Sequence, residues 1–448
     1  MRALLNFCAG AAQASQTLVS ARKFGPGSLL CAILIAASTL VFMPQIATAQ
    51  QLEGPVHIGI IRPAPDTVDP LMAPVARSAE QGTIMAEEEF SFNASMFGFD
   101  FAIIQKEAQG EDVITAAEEL VDSDEVFALA GGFDEAEARL LSAWADERAI
   151  PFINLLGADD ALRNELCNPS TFHMSPSAAM YLDALAGWYV RAGFRNWFTL
   201  VADTEVNQAE RDRLLRGLSD RHFGAREVGT ATLAADGTPD ADTIAAIERS
   251  RADFVLLLMP AQAQLTALGA LEAAGLDLMV TGFPDPAAQT REFFMQSSAV
   301  APVLGSGMRA IAWEPTLDAY GARELNARYM QRWNEPMEQA AWATYQAVKA
   351  FFEAAMFTGA TDPESVFAYL TAPGSVFDVW KGIGTSFRPW DHQMRQPLYL
   401  VDIDPDATEP RLAAQLVGEL PAIYLPGTDP VERLDQLGDL AAQSRCHF

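Results

Sequence analysis

Residues of the kinds that do catalysis or hold metals are scarce in this chain. Five histidines occur in 448 residues. His57, His173, His222, His392 and His447 are scattered, and no two stand three or four apart, the spacing that places two imidazoles on one helix face. That excludes an HExxH centre, and neither a GxSxG elbow nor a Walker loop is present. Gly131-Gly132 follows an apolar run but is not part of a GxGxxG fingerprint. Cysteine is equally sparse. Of four, Cys8 and Cys31 lie near the N-terminus, which leaves Cys167 and Cys446, a spacing that matches no zinc site. Basic residues number 30 against 59 acidic ones, for a net charge of −29. Such a surface repels nucleic acid and anionic lipid, so neither is expected as a partner. Long apolar runs are absent except for one.

That run, Ser28 to Met43, follows Arg22 and Lys23 and precedes Ala47-Thr48-Ala49. A charged stretch, a short apolar core and a small-x-small site make a secretory signal. The core is shorter than the ~20 residues a spanning helix needs, and Cys31 sits mid-run rather than at a lipoprotein site. The expectation is a signal peptide over 1–49, cleavage after Ala49 and a periplasmic destination. Three basic residues and no acid would leave with it, making the exported chain more acidic still. In an oxidising compartment, Cys167 and Cys446 are expected to form a disulfide that staples the C-terminal tail to the body.

From Val56 onward, short apolar runs alternate with amphipathic ones. Strands are expected at Val56–Ile61, Phe101–Gln105, Val126–Ala130 and Pro151–Leu155, with helices at Ser78–Phe90, Asp112–Ser123 and Glu135–Glu147 between them. The pattern restarts after Pro169–Pro176. Helices Tyr181–Ala192, Asn207–Phe223, Asp240–Arg249 and Ala261–Ala274 alternate with strands Trp197–Ala202, Arg226–Leu233, Asp253–Met259 and Met279–Thr281. This order implies two α/β units, each with a parallel sheet covered by helices on both faces. Leu317–Trp333 and Gln339–Phe357 read as long helices. In the second, Trp342, Tyr345, Val348, Phe352 and Met356 recur at the helical period and are expected in the core. Leu398–Asp402 reads as a last strand, and the tail from Asp404 fits no sheet. Asp402-Ile-Asp404-Pro-Asp406 imitates a calcium loop, but Ala407 and Ala413 stand where glycine and glutamate are required, so an acidic turn is expected. No cofactor is implied.

Ligands of open parallel sheets bind beyond the carboxyl ends of the strands, where helix N-termini present free N–H groups. The loops at those ends are Arg62–Asp69, Gly131–Glu135 and Leu156–Asp159 in the first unit. In the second they are Asp203–Asn207, Pro260–Gln262 and Gly282–Asp285.

Several segments in order give the chain a family likeness. Val56-His57-Ile58-Gly59-Ile60, Ala149-Ile150-Pro151-Phe152-Ile153, Ala252-Asp253-Phe254-Val255, Leu271 to Leu276, Ala341 to Ala347 and the stretch from Gly382 through Phe387 to Pro397 carry it. Together they resemble the periplasmic binding proteins of branched-chain amino acid ABC transporters, the type I, leucine-binding kind. More narrowly, Arg163 to Cys167, His173 to Ser177 and the tail from Leu437 to Cys446 are similar to a branch associated with PQQ-dependent alcohol oxidation. The resemblance implies an α/β, type I periplasmic-binding-protein fold, with two doubly wound parallel-sheet lobes joined by a hinge. Lobe I would span 55–175, completed by 310–390, and lobe II 176–309, completed by 391–404, with a tail over 405–448. It implies no enzyme. It implies a solute-binding protein that closes on a small molecule and delivers it to an ABC transporter permease. A non-transporting sensor or interaction module serving periplasmic alcohol-oxidation proteins is the alternative.

The family's first ligand loop supplies hydroxyl and N–H donors to a carboxylate. Here the matching stretch is Gly132-Phe133-Asp134-Glu135-Ala136, and two acids there repel a carboxylate. The second loop is Leu155-Leu156-Gly157-Ala158. The residues expected to line the cleft are Phe133, Asp134, Leu156, Gly157, Thr204, Met259, Phe283 and Asp285. The two phenylalanines would give apolar contact, and Asp134 and Asp285 would fix a positive group. A cation, an alcohol-derived metabolite or no small ligand at all remain as alternatives to an amino acid.

Overall fold

The computed structural model describes Leu52, residues 54–422 and residues 427–448; the expected signal segment, 1–49, lies outside them. The first lobe is built on β1 (Val56–Arg62), α1 (Ala73–Phe97), β2 (Phe101–Glu107), α2 (Asp112–Asp122), β3 (Ala128–Gly131), α3 (Glu135–Arg148), β4 (Phe152–Asn154) and β5 (Thr171–His173). Its five strands pair in parallel in the order β2-β1-β3-β4-β5. The chain then enters α4 (Ala178–Ala192), β6 (Asn196–Ala202), α5 (Glu205–Asp220), β7 (Arg226–Leu233), α6 (Ala241–Ser250), β8 (Phe254–Leu258), α7 (Ala261–Ala273) and β9 (Met279–Gly282). These strands form a second parallel sheet, β7-β6-β8-β9. In both sheets the order reverses between the first and third strands, which opens a crevice at their carboxyl ends.

Alternation decides the packing. Trp197, Val201, Phe254, Leu256 and Leu258 point into the core shared with α4 and α5. Phe198, Leu200, Ala202, Val255, Leu257 and Met259 point into the opposite core with α7. Burial on both faces is why these strands read as continuous apolar runs rather than alternating ones.

Beyond β9 come α8 (Arg291–Val300), β10 (Met308–Ile311), α9 (Ala322–Trp333), α10 (Gln339–Thr358), α11 (Pro363–Thr371), β11 (Leu398–Ile403), β12 (Ala414–Leu420) and α12 (Pro430–Leu434). The aromatic stripe of α10 faces α1, where Phe90 meets Tyr345 at 5.5 Å and Phe352 at 4.9 Å. Gly82 permits this approach, since a Cβ there would lie 2.5 Å from the Ala341 carbonyl oxygen. β10, β11 and β12 form a small antiparallel sheet. Ala310, Ala312, Leu398 and Leu400 enter the α4–α5 core of the second lobe, while Ile311, Trp313, Tyr399 and Val401 enter the large core of the first. This sheet is a plate common to both lobes.

Two expectations need correction. The helix expected from Leu317 begins at Ala322, because Tyr320 and Gly321 take positive φ (55° and 84°) and the Trp380 ring abuts Gly321. The tail does join a sheet: β12 pairs with β11 from Leu398↔Leu420 to Ile403↔Ala414. Gln415, Leu416 and Val417 are exposed on this edge strand, so its sequence carries little alternation to read. No helix among the described residues is long and apolar enough to cross a membrane.

Candidate functional site: an acidic chamber between the lobes

At the carboxyl ends of the two sheets, helices α3 and α5 begin on facing sides of the lobe junction. Each is capped by the residue before it. The Asp134 carboxylate accepts from the Glu137 N–H at 2.8 Å, and the Thr204 hydroxyl oxygen accepts from the Asn207 N–H at 3.1 Å. Capping turns these two side chains back onto their own helices. The next residues, Glu135 and Glu205, line a chamber of about 290 Å³. Its walls come from the first lobe (Glu135, Ala158, Asp160), from α5 (Glu205, Glu210, Asp212) and from the tail (Asp439, Arg445).

Along α5 a polar rail repeats every third residue. The Thr204 hydroxyl meets Asn207 Oδ1 at 2.8 Å, Asn207 Nδ2 donates to Glu210 Oε2 at 2.8 Å, and Arg213 pairs with Asp183 at 2.8 Å and Asp439 at 3.2 Å. This i, i+3 spacing holds Glu210 on the buried face of the helix, where it is 5% exposed. On the first-lobe side, buried Arg163 shapes the loop. Its guanidinium donates to the carbonyl oxygens of Gly157 and Asp159 (both 2.9 Å) and to Gln393 Oε1 (3.0 Å).

Carboxylates outnumber the three lining arginines, Arg139, Arg216 and Arg445, and two of these are already engaged. Arg139 pairs with Asp159 at 2.6 Å and Arg445 with Glu165 at 2.7 Å. The remaining acids raise one another. Burial, then the Asp285 charge, pushes Glu135 up to about 7. Burial and Asp439 push Asp160 up to about 6. Burial and Asp134 push Asp285 up to about 6, against the opposing pull of the Ala287 and Ala288 N–H groups. Glu210 is held well above the usual carboxylate range by burial, with Glu135, Asp160 and Asp285 adding to it. Acids that favour their protons in this way are poised to accept a positive ligand in their place. No group of three or more His, Cys, Asp or Glu among the described residues is arranged to hold a metal ion.

Toward the middle of the junction the space closes. Leu156, Pro286, Gln289 and Gln339 border only about 10 Å³, room for about one water. Gln289 Nε2 and Gln339 Nε2 each donate to the Tyr181 hydroxyl at 3.1 Å. Glu338 borders this space and also a wider cavity of about 680 Å³, lined by Ser78, Arg291, Met295, Tyr329 and Arg411 among others. Arg291 is almost fully buried there and pairs with Glu314 at 2.6 Å.

Two parallel α/β lobes, a shared plate and a crevice between facing helix N-termini describe a ligand clamp, and comparison by sequence gives the same answer. A profile described as periplasmic binding protein matches residues 55–408. The chain belongs to the periplasmic binding protein family. Among solved structures, it is similar to a branched-chain amino acid ABC transporter periplasmic ligand-binding protein from Burkholderia xenovorans LB400. There the TM-score is 0.74 at 16% identity, covering 87% of this chain and 99% of that one. A solute-binding protein of an ABC transporter from Rhodopseudomonas palustris BisB5, in complex with 3,4-dihydroxybenzoic acid, matches with TM-score 0.64 at 17% identity, covering 84% and 99%. A branched-chain amino acid transporter substrate-binding protein from Streptococcus pneumoniae, in complex with isoleucine, matches with TM-score 0.64 at 15% identity, covering 81% and 99%. At such identities the likeness is one of fold. Comparison with curated proteins gives no match.

In this periplasmic binding protein the eight expected cleft residues fall in four settings. Asp134 and Thr204 are exposed helix caps at the chamber's rim. Leu156 borders the closed centre, and Asp285 faces the junction with its carboxylate accepting from the Ala287 N–H at 3.0 Å. Gly157 is buried beneath the chamber, its N–H donating to Asn154 Oδ1 at 3.0 Å. Phe133, Met259 and Phe283 are buried in three separate cores, Phe283 packing edge-on against Tyr181. Sequence reasoning named Glu135 as one of two acids in its loop but not among the cleft residues, and named the loop that holds Glu205 but not that residue. A signal for them existed, because a capping residue spends its side chain on the helix and leaves the next position to face the crevice. Asp160, Glu210 and Asp439 were missed. The rail Thr204-x-x-Asn207-x-x-Glu210-x-x-Arg213 was a signal for Glu210. Asp439 had none, since it meets Asn164 across 275 residues.

Proposed function

We propose that this protein is a solute-binding protein of an ABC transporter that captures a small organic cation in the chamber between its lobes and hands it to a permease. The observation that carries the reading is the set of four carboxyl groups, Glu135, Asp160, Glu210 and Asp285. Glu135, Asp160 and Glu210 line the chamber and Asp285 lies beside it at the junction, and each has its proton affinity raised first by burial and then by neighbouring acids. An ammonium group entering the chamber replaces those protons and is held from both sides only when the lobes are shut, so binding favours closure. The related proteins from Streptococcus pneumoniae and Rhodopseudomonas palustris, found with isoleucine and 3,4-dihydroxybenzoic acid, bind molecules that carry a carboxylate. The acidic walls here disfavour such a group. Asp134, Leu156, Gly157 and Thr204 frame the chamber and Asp285 supplies part of its charge. Phe133, Met259 and Phe283 support the loops from beneath. Export by the 1–49 segment to the periplasm belongs to the same reading.

A second reading has two observations in its favour. The closed centre and a tail bonded to both lobes suit a module that binds a partner, such as the periplasmic alcohol-oxidation proteins of the similar branch, rather than one that opens and shuts on a solute. Native mass spectrometry of protein isolated from its own periplasm separates the two. A discrete added mass that carries an amine and is lost on denaturation supports the first. A bare mass that persists after incubation with a panel of alkylamines, diamines and amino acids rejects it in favour of the second.

A further inference from the structure

The chain beyond residue 408 lies outside the family match, yet its last residues are bonded to both lobes. After β12 and α12 it runs across the mouth of the chamber. On the second lobe, the Gly438 N–H donates to the buried Asp183 carboxylate at 3.0 Å, and Arg221 donates to the Gly438 carbonyl oxygen at 2.6 Å and to Gln443 Oε1 at 2.7 Å. Glycine is required at 438: φ is +82°, and a Cβ would lie 2.9 Å from Met180 Cγ and 3.1 Å from Arg388 Nη1. On the connecting segment between the lobes, Arg388 donates to the Leu437 carbonyl oxygen at 2.5 Å, Ser444 donates to the Trp390 carbonyl oxygen at 3.0 Å, and Phe448 stacks on His392 at 4.2 Å. On the first lobe, the Arg445 N–H donates to Asn164 Oδ1 at 3.3 Å, Arg445 pairs with Glu165, and Cys446 is disulfide-bonded to Cys167.

Asp439 stands at the middle of this crossing. One carboxylate oxygen accepts from Arg213 of the second lobe at 3.2 Å and the other from Asn164 of the first at 3.4 Å, and the residue lines the chamber. A segment bonded to both lobes must yield, or limit the parting, when they move apart. Its hydrogen bonds are individually weak and exchange readily with water, whereas the covalent link to the first lobe does not.

We propose that the C-terminal strap is a third wall of the ligand chamber and the tether that sets how far the lobes open. The Cys167–Cys446 bond holds it to the first lobe, Asp183 with Arg221 holds it to the second, and Asp439 faces the ligand. The assignment to Asp439 rests on the cation-binding reading; the tether does not.

The test uses the full mature chain with spin labels at two exposed positions, one in each lobe, introduced as Ala143→Cys on α3 and Ala241→Cys on α6. Pulsed electron–electron distance measurements are compared between this protein and the same protein carrying Cys167→Ser and Cys446→Ser. A single narrow distribution in the disulfide-bonded form, with a broader one extending to longer distances in the serine form, is the expected result. Identical distributions overturn the tether. If the serine form does not fold, amide hydrogen exchange in the otherwise unaltered protein, before and after reduction with dithiothreitol, gives the decision: faster exchange over 158–165 and α5 with β1 and β8 unchanged supports the tether, and exchange that is unchanged, or faster throughout the chain, overturns it. For Asp439, the affinity for 1,4-diaminobutane is measured with Asp439→Asn. A five- to tenfold loss with an unchanged distance distribution supports the wall, and unchanged affinity overturns it. If the parent protein binds no cation at all, the cation-binding reading and the role of Asp439 fall together, while the distance measurement still decides the tether.

Discussion

The lobe junction has two unlike sides. One holds the chamber of about 290 Å³, walled by acids whose proton affinities are raised and crossed by the strap. The other holds the cavity of about 680 Å³, where buried Arg291 is neutralised by Glu314 and further charges of both signs, among them Glu335, Glu338 and Arg411, share the rim. Between them Leu156, Gln289 and Gln339 fill the centre. The larger space is lined by four carboxylates and two arginines and the smaller by eight carboxylates and three arginines, so the smaller carries the greater excess of negative charge. Volume therefore says little here about where a ligand is selected, whereas unneutralised charge in a half-buried setting says a good deal.

The comparison breaks first at Asp183. This carboxylate is 1% exposed and anchors Arg213, Arg221, His222 and the strap. Asp183→Ala leaves cations buried without a partner and is expected to cost about 3–5 kcal/mol by urea unfolding, with the chamber side the first to exchange its amides. On the other side, Arg291→Met orphans Glu314 and is expected to cost about 3 kcal/mol. Much of that should return in the Arg291→Met, Glu314→Leu double variant, with affinity for 1,4-diaminobutane unchanged throughout. A loss of cation affinity in the double variant would move the site to the larger cavity.

Glu210→Gln sharpens the contrast. The amide keeps its bond to Asn207 but removes a charge, so cation affinity should fall about tenfold, roughly 1.4 kcal/mol, while the empty protein gains thermal stability at pH 8. The smallest effect is the pH dependence of that empty protein. Glu135, Glu137 and Glu338 are raised to about 7 and Asp160 and Asp285 to about 6, all above their unfolded values near 4. Between those limits the folded chain holds more protons than the unfolded one, so stability falls as pH rises from about 4 to about 7. Asp183 acts in the opposite sense at lower pH. Burial opposes its charge, but His222, Arg213 and Arg221 hold it below the usual range. Melting temperatures should thus peak near pH 4 and decline toward pH 7 by a few degrees.

How much of this could be read in advance varies with range. The two parallel sheets announced themselves in runs such as Val56 to Ile61 and Asp253 to Met259, because strands buried on both faces are apolar throughout. The loops at their ends followed from topology. The side chains within the loops did not, since the same loop can spend an aspartate on capping, as at Asp134, or leave an acid to face the crevice, as at Glu135. The shared plate and the strap were the least legible. β12 is an edge strand with several exposed residues, and Asp439 gains its role from Asn164 and Arg213, more than 200 residues away. Contacts of that range leave no local period to find.

The central claim is that charge on the smaller side of the junction selects a cation. Thermal shift of the mature protein with 1,4-diaminobutane and, separately, with succinate, from pH 5.5 to 8.5, tests it most directly. The account predicts stabilisation by the diamine that grows with pH through about 7, as the chamber acids lose their protons, and none by the dicarboxylate. Stabilisation by succinate, or a diamine effect that is absent at every pH, would contradict it.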